Sequence, residues 1–168
     1  MNQVSYTLRQ WRPGDEQSLY ENANNYKIWK NLKDIFPHPY TLTDAYEWVK
    51  IAQNLMGNFA IEVEGKAVGG IGVLLKDDIY SKNVEIGYWL GESYWGQGII
   101  SEAIKEVVDY TFAHFDIYRI YAGVFEYNIG SMRVLEKAGF HLEAVLKKSL
   151  VKEGKLYNEH IYVKLREG

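Results

Sequence analysis

The most informative segment of this chain reads Tyr94-Trp95-Gly96-Gln97-Gly98-Ile99-Ile100-Ser101-Glu102-Ala103. It joins a predicted strand to a predicted helix, and its two glycines allow backbone turns that a Cβ atom would hinder. The first turn of the helix offers unpaired N–H groups and the positive end of the helix dipole, which together attract anions. Because glycines also punctuate ordinary loops, the segment alone leaves two interpretations open, a tight turn and a phosphate site.

The sequence on both sides of this segment predicts a single α/β domain over residues 1–168. Hydrophobic periodicity predicts a mixed (α+β) sheet of about seven strands. The predicted order of elements is β-α-α-β-β-β-α-β-α-β-β. Thr41 or Thr43 is the expected cap of the second helix, which Gly57 would end. Three glycines in the predicted third strand, at positions 69, 70 and 72, indicate a bulge or a close neighbour.

The composition is that of a globular protein, with 47% hydrophobic and 24% charged residues. The formal net charge of −3 argues against a nucleic-acid partner, which normally requires a basic surface. No secretory signal or membrane-spanning stretch is visible, so we expect a cytoplasmic protein without membrane contact. The chain has no cysteine, and its four histidines lack metal-ligand spacing, so we expect no metal and no cysteine nucleophile.

Further segments follow in an order typical of one protein family. The strand Glu85-Ile86-Gly87-Tyr88-Trp89-Leu90 precedes Gln97-Gly98-Ile99-Ile100, and Asn128-x-x-Ser131 and Lys137-Ala138-Gly139-Phe140 come later. Together they resemble the GNAT superfamily of N-acetyltransferases, and within it the RimJ/RimL-like branch, which includes ribosomal-protein N-terminal acetyltransferases. The resemblance covers almost the whole chain. It implies a GNAT-like fold with the sheet splayed between the fourth and fifth strands.

The resemblance implies acetyl-CoA as the cosubstrate and assigns residues to it. The diphosphate would bind backbone N–H groups of the loop, and Asn128 and Ser131 would approach the pantetheine arm and thiol. Lys137 would reach a phosphate of CoA, with a solvated helix charge as its alternative role. The loop residues are Trp95, Gly96, Gln97, Gly98, Ile99, Ile100 and Ser101, and the backbone of Tyr88, Trp89 and Leu90 would hold the thioester arm. The chain departs from the family pattern at Ile100, where glycine or alanine is usual, and at Leu135, where many members carry a tyrosine.

Two residues are candidates for proton transfer, because amide formation needs a neutral amine and a protonated thiol leaving group. Glu85 is the predicted base, acting directly or through water, and its alternative role is a cross-strand ion pair or a solvent-facing side chain. Ser131 is the predicted partner of the departing thiolate. The absence of cysteine favours direct attack in a ternary complex over an acyl-enzyme.

Aromatic residues are the candidate wall of the acceptor site, with core packing as the alternative role. They are Trp29, Phe36, His38, Tyr40 and Trp89. The resemblance favours a protein or peptide N-terminal amine as the acceptor. Two other functions stay open, acetylation of a small amine (a polyamine, amino acid or aminoglycoside) and CoA sensing without turnover. The expected partners are acetyl-CoA and the amine acceptor, and a homodimer is left open.

Overall fold

The computed structural model describes residues 4–168 and confirms the predicted α/β fold with a mixed seven-stranded sheet. The strands are β1 (Thr7–Arg9), β2 (Asn58–Val63), β3 (Lys66–Leu75), β4 (Asn83–Leu90), β5 (Arg119–Phe125), β6 (His141–Lys152) and β7 (Lys155–Leu165). The helices are α1 (Glu16–Ala23), α2 (Tyr26–Trp29), α3 (Leu42–Ala52), α4 (Ile99–His114) and α5 (Ile129–Lys137). The sheet order is β1-β2-β3-β4-β5-β7-β6. The β4–β5 pair is parallel, whereas β1–β2, β2–β3, β5–β7 and β6–β7 are antiparallel.

The sequence predicts the start of α3 correctly, but it does not predict where the helix ends. Thr41 caps α3 through a reciprocal box, in which its hydroxyl accepts from the Asp44 N–H and the Asp44 carboxylate accepts from the Thr41 N–H. The helix ends at Ala52, earlier than the expected stop at Gly57, whose positive φ of 83° turns the chain into β2. The structure also adds the single-turn helix α2, which the predicted order lacks.

Contacts divide the chain into two compact units, the first made of residues up to Gly72 with Tyr88–Ala103 and the second of Val73–Gly87 with Ile104–Gly168. In the first unit α1 and α3 pack on β2 and β3 through many small side chains, which allow close approach. Its core cluster contains Trp11, Leu19, Ala23, Tyr40, Ala45, Val49, Ala52, Ala60 and Ala67. In the second unit the fully buried side chains include Val84, Ile104, Val107, Ile120, Leu135 and Val163.

The glycines of β3 lie where β4 approaches closely. A Cβ atom at Gly69 would lie 2.5 Å from the backbone oxygen of Trp89, and one at Gly70 would lie 2.8 Å from the indole Nε1 of the same residue. The β2–β3 register also shifts between Ile61 and Glu62, as a bulge produces. These observations confirm the prediction of a bulge or close neighbour in this strand.

The parallel pairing of β4 with β5 is short. Asn83–Glu85 lies opposite Arg119–Tyr121, and within residues 4–168 the ladder ends there. β5 nevertheless continues to Phe125 and pairs with β7 along its whole length. This early end of the β4–β5 ladder agrees with the strand separation that the resemblance implies.

Candidate active site

The loop before α4 has the shape that an anion site needs. Gly96 and Gly98 adopt positive φ angles of 75° and 80°, and apart from the adjoining residues no atom lies within 4 Å of a Cβ built on either one. α4 begins at Ile99 directly after this open space. In the part of the chain that the structure describes, the N–H groups of residues 96–101 donate to no protein acceptor. Open space and available N–H donors at a helix start fit the oxygens of a diphosphate.

Two side chains fix the shape of this loop. The indole Nε1 of Trp95 donates to the Leu90 carbonyl at 2.7 Å, which ties the loop to the end of β4. The Ser101 hydroxyl donates to the Gly98 carbonyl at 3.1 Å and closes the turn before the helix. Ile99 is buried and anchors α4, whereas Ile100 is only half-buried. The bulky Ile100 is therefore partly exposed beside the N–H groups of the loop.

Glu85 lies at the point where the β4–β5 ladder ends. It is half-buried and directly opposite Tyr121, so the two side chains share a face of the sheet. The guanidinium of Arg119 stacks 5.0 Å from the Tyr121 ring and donates to the Asn83 side-chain oxygen at 3.0 Å. Arg119 also forms an ion pair with Glu143, which partly neutralises its charge. Glu85 therefore lies on a polar face that already holds charged groups of both signs.

Asn128 and Ser131 meet at the start of α5. The Asn128 side-chain oxygen accepts from the Ser131 N–H at 3.2 Å and caps the helix. The capping bond leaves the Asn128 amide N–H₂ as a donor for another group. Lys137 is exposed in the last turn of the same helix, and Gly139 follows with a positive φ of 90°, as expected for a helix-ending residue.

The predicted aromatic residues fall into two clusters within the first unit. The Phe36 ring lies 5.1 Å from the Tyr40 ring and 5.8 Å from the Trp89 ring, and all three pack in or against the core cluster. Burial raises the pKa of Tyr40, and the negative charge of the nearby Asp44 carboxylate raises it further. Trp29 and His38 form a separate stacked pair with their rings 5.3 Å apart. Core packing therefore accounts for three of the five residues, and the acceptor wall stays a prediction.

Near the end of the β4–β5 ladder lies a carboxylate, that of Glu159, which belongs to none of the sequence motifs. Glu159 of β7 extends over Gly123 of β5, and a Cβ at Gly123 would lie 2.2 Å from Glu159 Oε2. The available signal was the glycine itself, because a glycine inside an apolar strand often marks a close approach. No local motif links Gly123 to Glu159, since only the β5–β7 pairing brings them together.

Residues 4–168 contain neither a candidate membrane-spanning helix nor a candidate metal cluster. No helix among them is long and apolar enough to cross a membrane. Nor do these residues contain a group of three or more His, Cys, Asp or Glu side chains that could hold a metal ion.

Comparison with known proteins gave similar sequences and folds. A probable N-acetyltransferase of Bacillus subtilis, YjcK, is 49% identical over 75 residues, which are 45% of this chain and 41% of that protein. The putative ribosomal N-acetyltransferase YdaF of the same bacterium is 26% identical over 168 residues, covering 95% of this chain and 90% of YdaF. The microcin C7 self immunity acetyltransferase MccE, solved with acetyl-CoA and AMP, is 25% identical with a TM-score of 0.83, covering 98% and 94% of the two chains.

The extent of the matches differs between relatives and the family as a whole. In four relatives, YjcK among them, the matched part is only 41–50% of the relative's own length. The family model described as the acetyltransferase (GNAT) domain, in contrast, matches residues 6–141. That range includes the loop before α4, the end of the β4–β5 ladder and the start of α5. The chain therefore belongs to the GNAT acetyltransferase family.

Proposed function

We propose that this chain is an acetyl-CoA-dependent N-acetyltransferase that acts on a primary amine in a ternary complex. The observation that carries the proposal is the loop of residues 95–101, with its N–H donors, its two left-handed glycines and open space above both. Membership of the GNAT family supports the same function. MccE, with the same fold, was solved with acetyl-CoA bound.

The cosubstrate would be held by groups from several elements. The N–H groups of residues 96–101 would bind the diphosphate, and Trp95 and Ser101 would keep their loop in shape. The Asn128 amide and the Ser131 hydroxyl would serve the pantetheine arm and thiol, and Lys137 a phosphate. When bound, acetyl-CoA supplies the acetyl group as an activated thioester.

The remaining task of the protein is to move protons. At pH 7 an α-amine with a pKa of about 8 is roughly 10% neutral, whereas a lysine-type amine at about 10.4 is only about 0.04% neutral. Glu85 would take the proton from the amine, directly or through water, so that nitrogen can bond to the acetyl carbon. Ser131 would donate a hydrogen bond to the sulfur as its bond to carbon breaks. Because an α-amine needs less help from a base, it suits a site in which Glu85 acts through water.

The proposed acceptor is a protein or peptide N-terminal α-amine, as in the RimJ/RimL-like branch. The similarity to YdaF, a putative ribosomal N-acetyltransferase, supports this choice along nearly the whole chain. A small amine is the second candidate, because the structure of the similar protein MccE contains a small molecule, AMP, as well as acetyl-CoA.

An assay of thiol release from acetyl-CoA tests the proposal. Since the chain contains no cysteine, any new thiol comes from CoA alone. Acetyl-CoA would be offered with the peptide Ala-Ala-Lys-Ala, with the same peptide blocked at its α-amine, and with 1,4-diaminobutane. We expect thiol release with the free peptide and little with the blocked one. Release only with diaminobutane would establish the small-amine alternative, and tight acetyl-CoA binding without transfer to any amine would favour a sensor.

A further inference from the structure

The Glu159 side chain extends over Gly123 and fills the space that a Cβ atom at position 123 would occupy. Its Oε2 lies 2.2 Å from where a Cβ of Gly123 would be, a separation that real Cβ atoms do not show. Gly123 comes two residues after Tyr121, the last β5 residue paired with β4, and on the same face. A glycine inside a strand often marks such a close approach. The carboxylate thus lies beside the place where the β4–β5 ladder ends.

The backbone that carries Glu159 is held by hydrogen bonds on both sides. The Asn158 N–H donates to Glu126 Oε1 at 3.0 Å, and the Glu126 N–H donates back to the Asn158 carbonyl at 3.1 Å. The β6–β7 register is irregular opposite this point, and the Lys148 N–H donates to the Asn158 side-chain oxygen at 2.9 Å. Lys148 has a positive φ of 54°, as a bulged residue can adopt. These contacts fix the position from which the Glu159 side chain extends.

A cluster of aromatic rings lies beside Glu159 on the same face of the sheet. Phe125 is directly opposite Glu159 in the β5–β7 register, so their side chains share a face. Phe125 stacks on Tyr127 with ring centres 5.1 Å apart, and Tyr157 meets both rings edge-on at 6.1 and 5.0 Å. A carboxylate with aromatic rings beside it suits an ammonium group on an apolar stem, because the carbon chain can lie against the rings while the charge meets the carboxylate.

The protein itself supplies little that would neutralise Glu159. Its Oε1 has one long contact, 3.4 Å, from the Ser149 hydroxyl. Among residues 4–168 no lysine, arginine or histidine lies within 4.0 Å of its carboxylate oxygens. The side chain is half-buried, so a cation that binds it is partly shielded from water and its attraction is weakened less by solvent.

We infer that Glu159 binds the ammonium group of the acceptor, with Phe125, Tyr127 and Tyr157 against its carbon chain. The inference rests on the proposed function and adds an acceptor residue that the sequence motifs do not contain. Glu85, one strand away on the same face, is separated from Gly123 by about 8 Å between Cα atoms, from the usual strand spacing and rise. Glu159 would therefore bind the charged amine, and Glu85 would receive the proton when the amine becomes nucleophilic.

The Glu159→Gln variant tests this role through the split between KM and kcat. Because the variant loses a hydrogen bond to a charged group, we expect the KM for the amine to rise about 10- to 100-fold. The kcat and the KM for acetyl-CoA should stay unchanged within about twofold. Glu159→Asp should recover part of the affinity, and Gly123→Ala should raise the amine KM without removing a charge, because it displaces the carboxylate. Glu167→Gln, which removes an exposed carboxylate, is the matched control.

A binding titration tests the role of Glu159 in amine binding independently of acetyl transfer. 1,4-Diaminobutane and the peptide Ala-Ala-Lys-Ala are titrated into CoA-saturated wild type and Glu159→Gln. The inference requires that at least one probe binds wild type and binds Glu159→Gln about 10-fold or more weakly. Equal binding to both proteins, or no binding to wild type, overturns it even if acetyl transfer occurs. Binding lost in Glu159→Gln when wild type transfers to no amine supports Glu159 and refutes the proposed transferase.

Discussion

Gly98→Ala isolates the contribution of the loop backbone to cosubstrate binding. Gly98 has a φ of 80°, and no atom beyond the adjoining residues lies within 4 Å of its would-be Cβ, so the substitution introduces strain without a clash. A non-glycine residue in the left-handed region costs about 1–2 kcal/mol. Because no packing around this Cβ holds the loop in place, we expect the free loop to relax and to regain its strained shape only on binding. The Kd for CoA should then rise about 5- to 30-fold.

Gly65→Ala is the matched control for this experiment. Gly65 has the same φ of 80° and the same open surroundings, but it lies in the turn between β2 and β3. Its strain should reduce the free energy of unfolding by about 1 kcal/mol and leave CoA affinity unchanged. Calorimetric titration with CoA and urea unfolding measure the two quantities in both variants. A wild-type Kd for CoA in Gly98→Ala would refute the role of this backbone.

Three other predictions concern the base, the loop and the pH dependence of stability. Glu85→Gln should lower kcat by about 10²- to 10⁴-fold and remove the acid-side limb of the pH–rate profile, and an unchanged profile would exclude Glu85 as the base. Trp95→Phe, which removes the indole bond to the Leu90 carbonyl, should raise the Kd for CoA about 2- to 12-fold in the same titration. Burial tends to raise the pKa of Asp15, but hydrogen bonds from the Arg9 guanidinium and the Arg12 N–H outweigh it, so this pKa lies below its usual value. The ionised Asp15 therefore stabilises the fold above about pH 4, and this contribution is lost as pH falls through the lowered pKa. Asp15→Asn should reduce the unfolding free energy by about 1–3 kcal/mol at neutral pH and flatten its acid-side decline in urea unfolding at several pH values.

The features that were predictable from sequence are those encoded within a few residues. The loop before α4, the Thr41 cap and the Gly139 stop each depend on the conformation of one residue and its immediate neighbours, and all three are present. The predicted end of α3 was wrong. Gly57 is the stop signal in the sequence, but the helix ends at Ala52. The helix ends several residues before Gly57, so this glycine turns the chain toward β2 and does not cap the helix.

The features that escaped prediction depend on pairing between distant segments. The contact of Glu159 with Gly123 requires the β5–β7 register, and the irregular β6–β7 pairing beside it adds a second condition. The packing of the aromatic candidates also depends on contacts between distant segments. Nothing in the sequence separates Phe36 and Trp89 from the equally half-buried Trp29, and only packing against the core cluster distinguishes them. A periodic pattern gives the face of a side chain but not its neighbour.

A crystal structure of the chain with CoA tests the central claim most directly. The account predicts diphosphate oxygens within about 3.2 Å of N–H groups in residues 96–101, with Gly96 and Gly98 still at positive φ. It would be contradicted by a diphosphate bound elsewhere, or by these N–H groups turned toward acceptors of the protein itself.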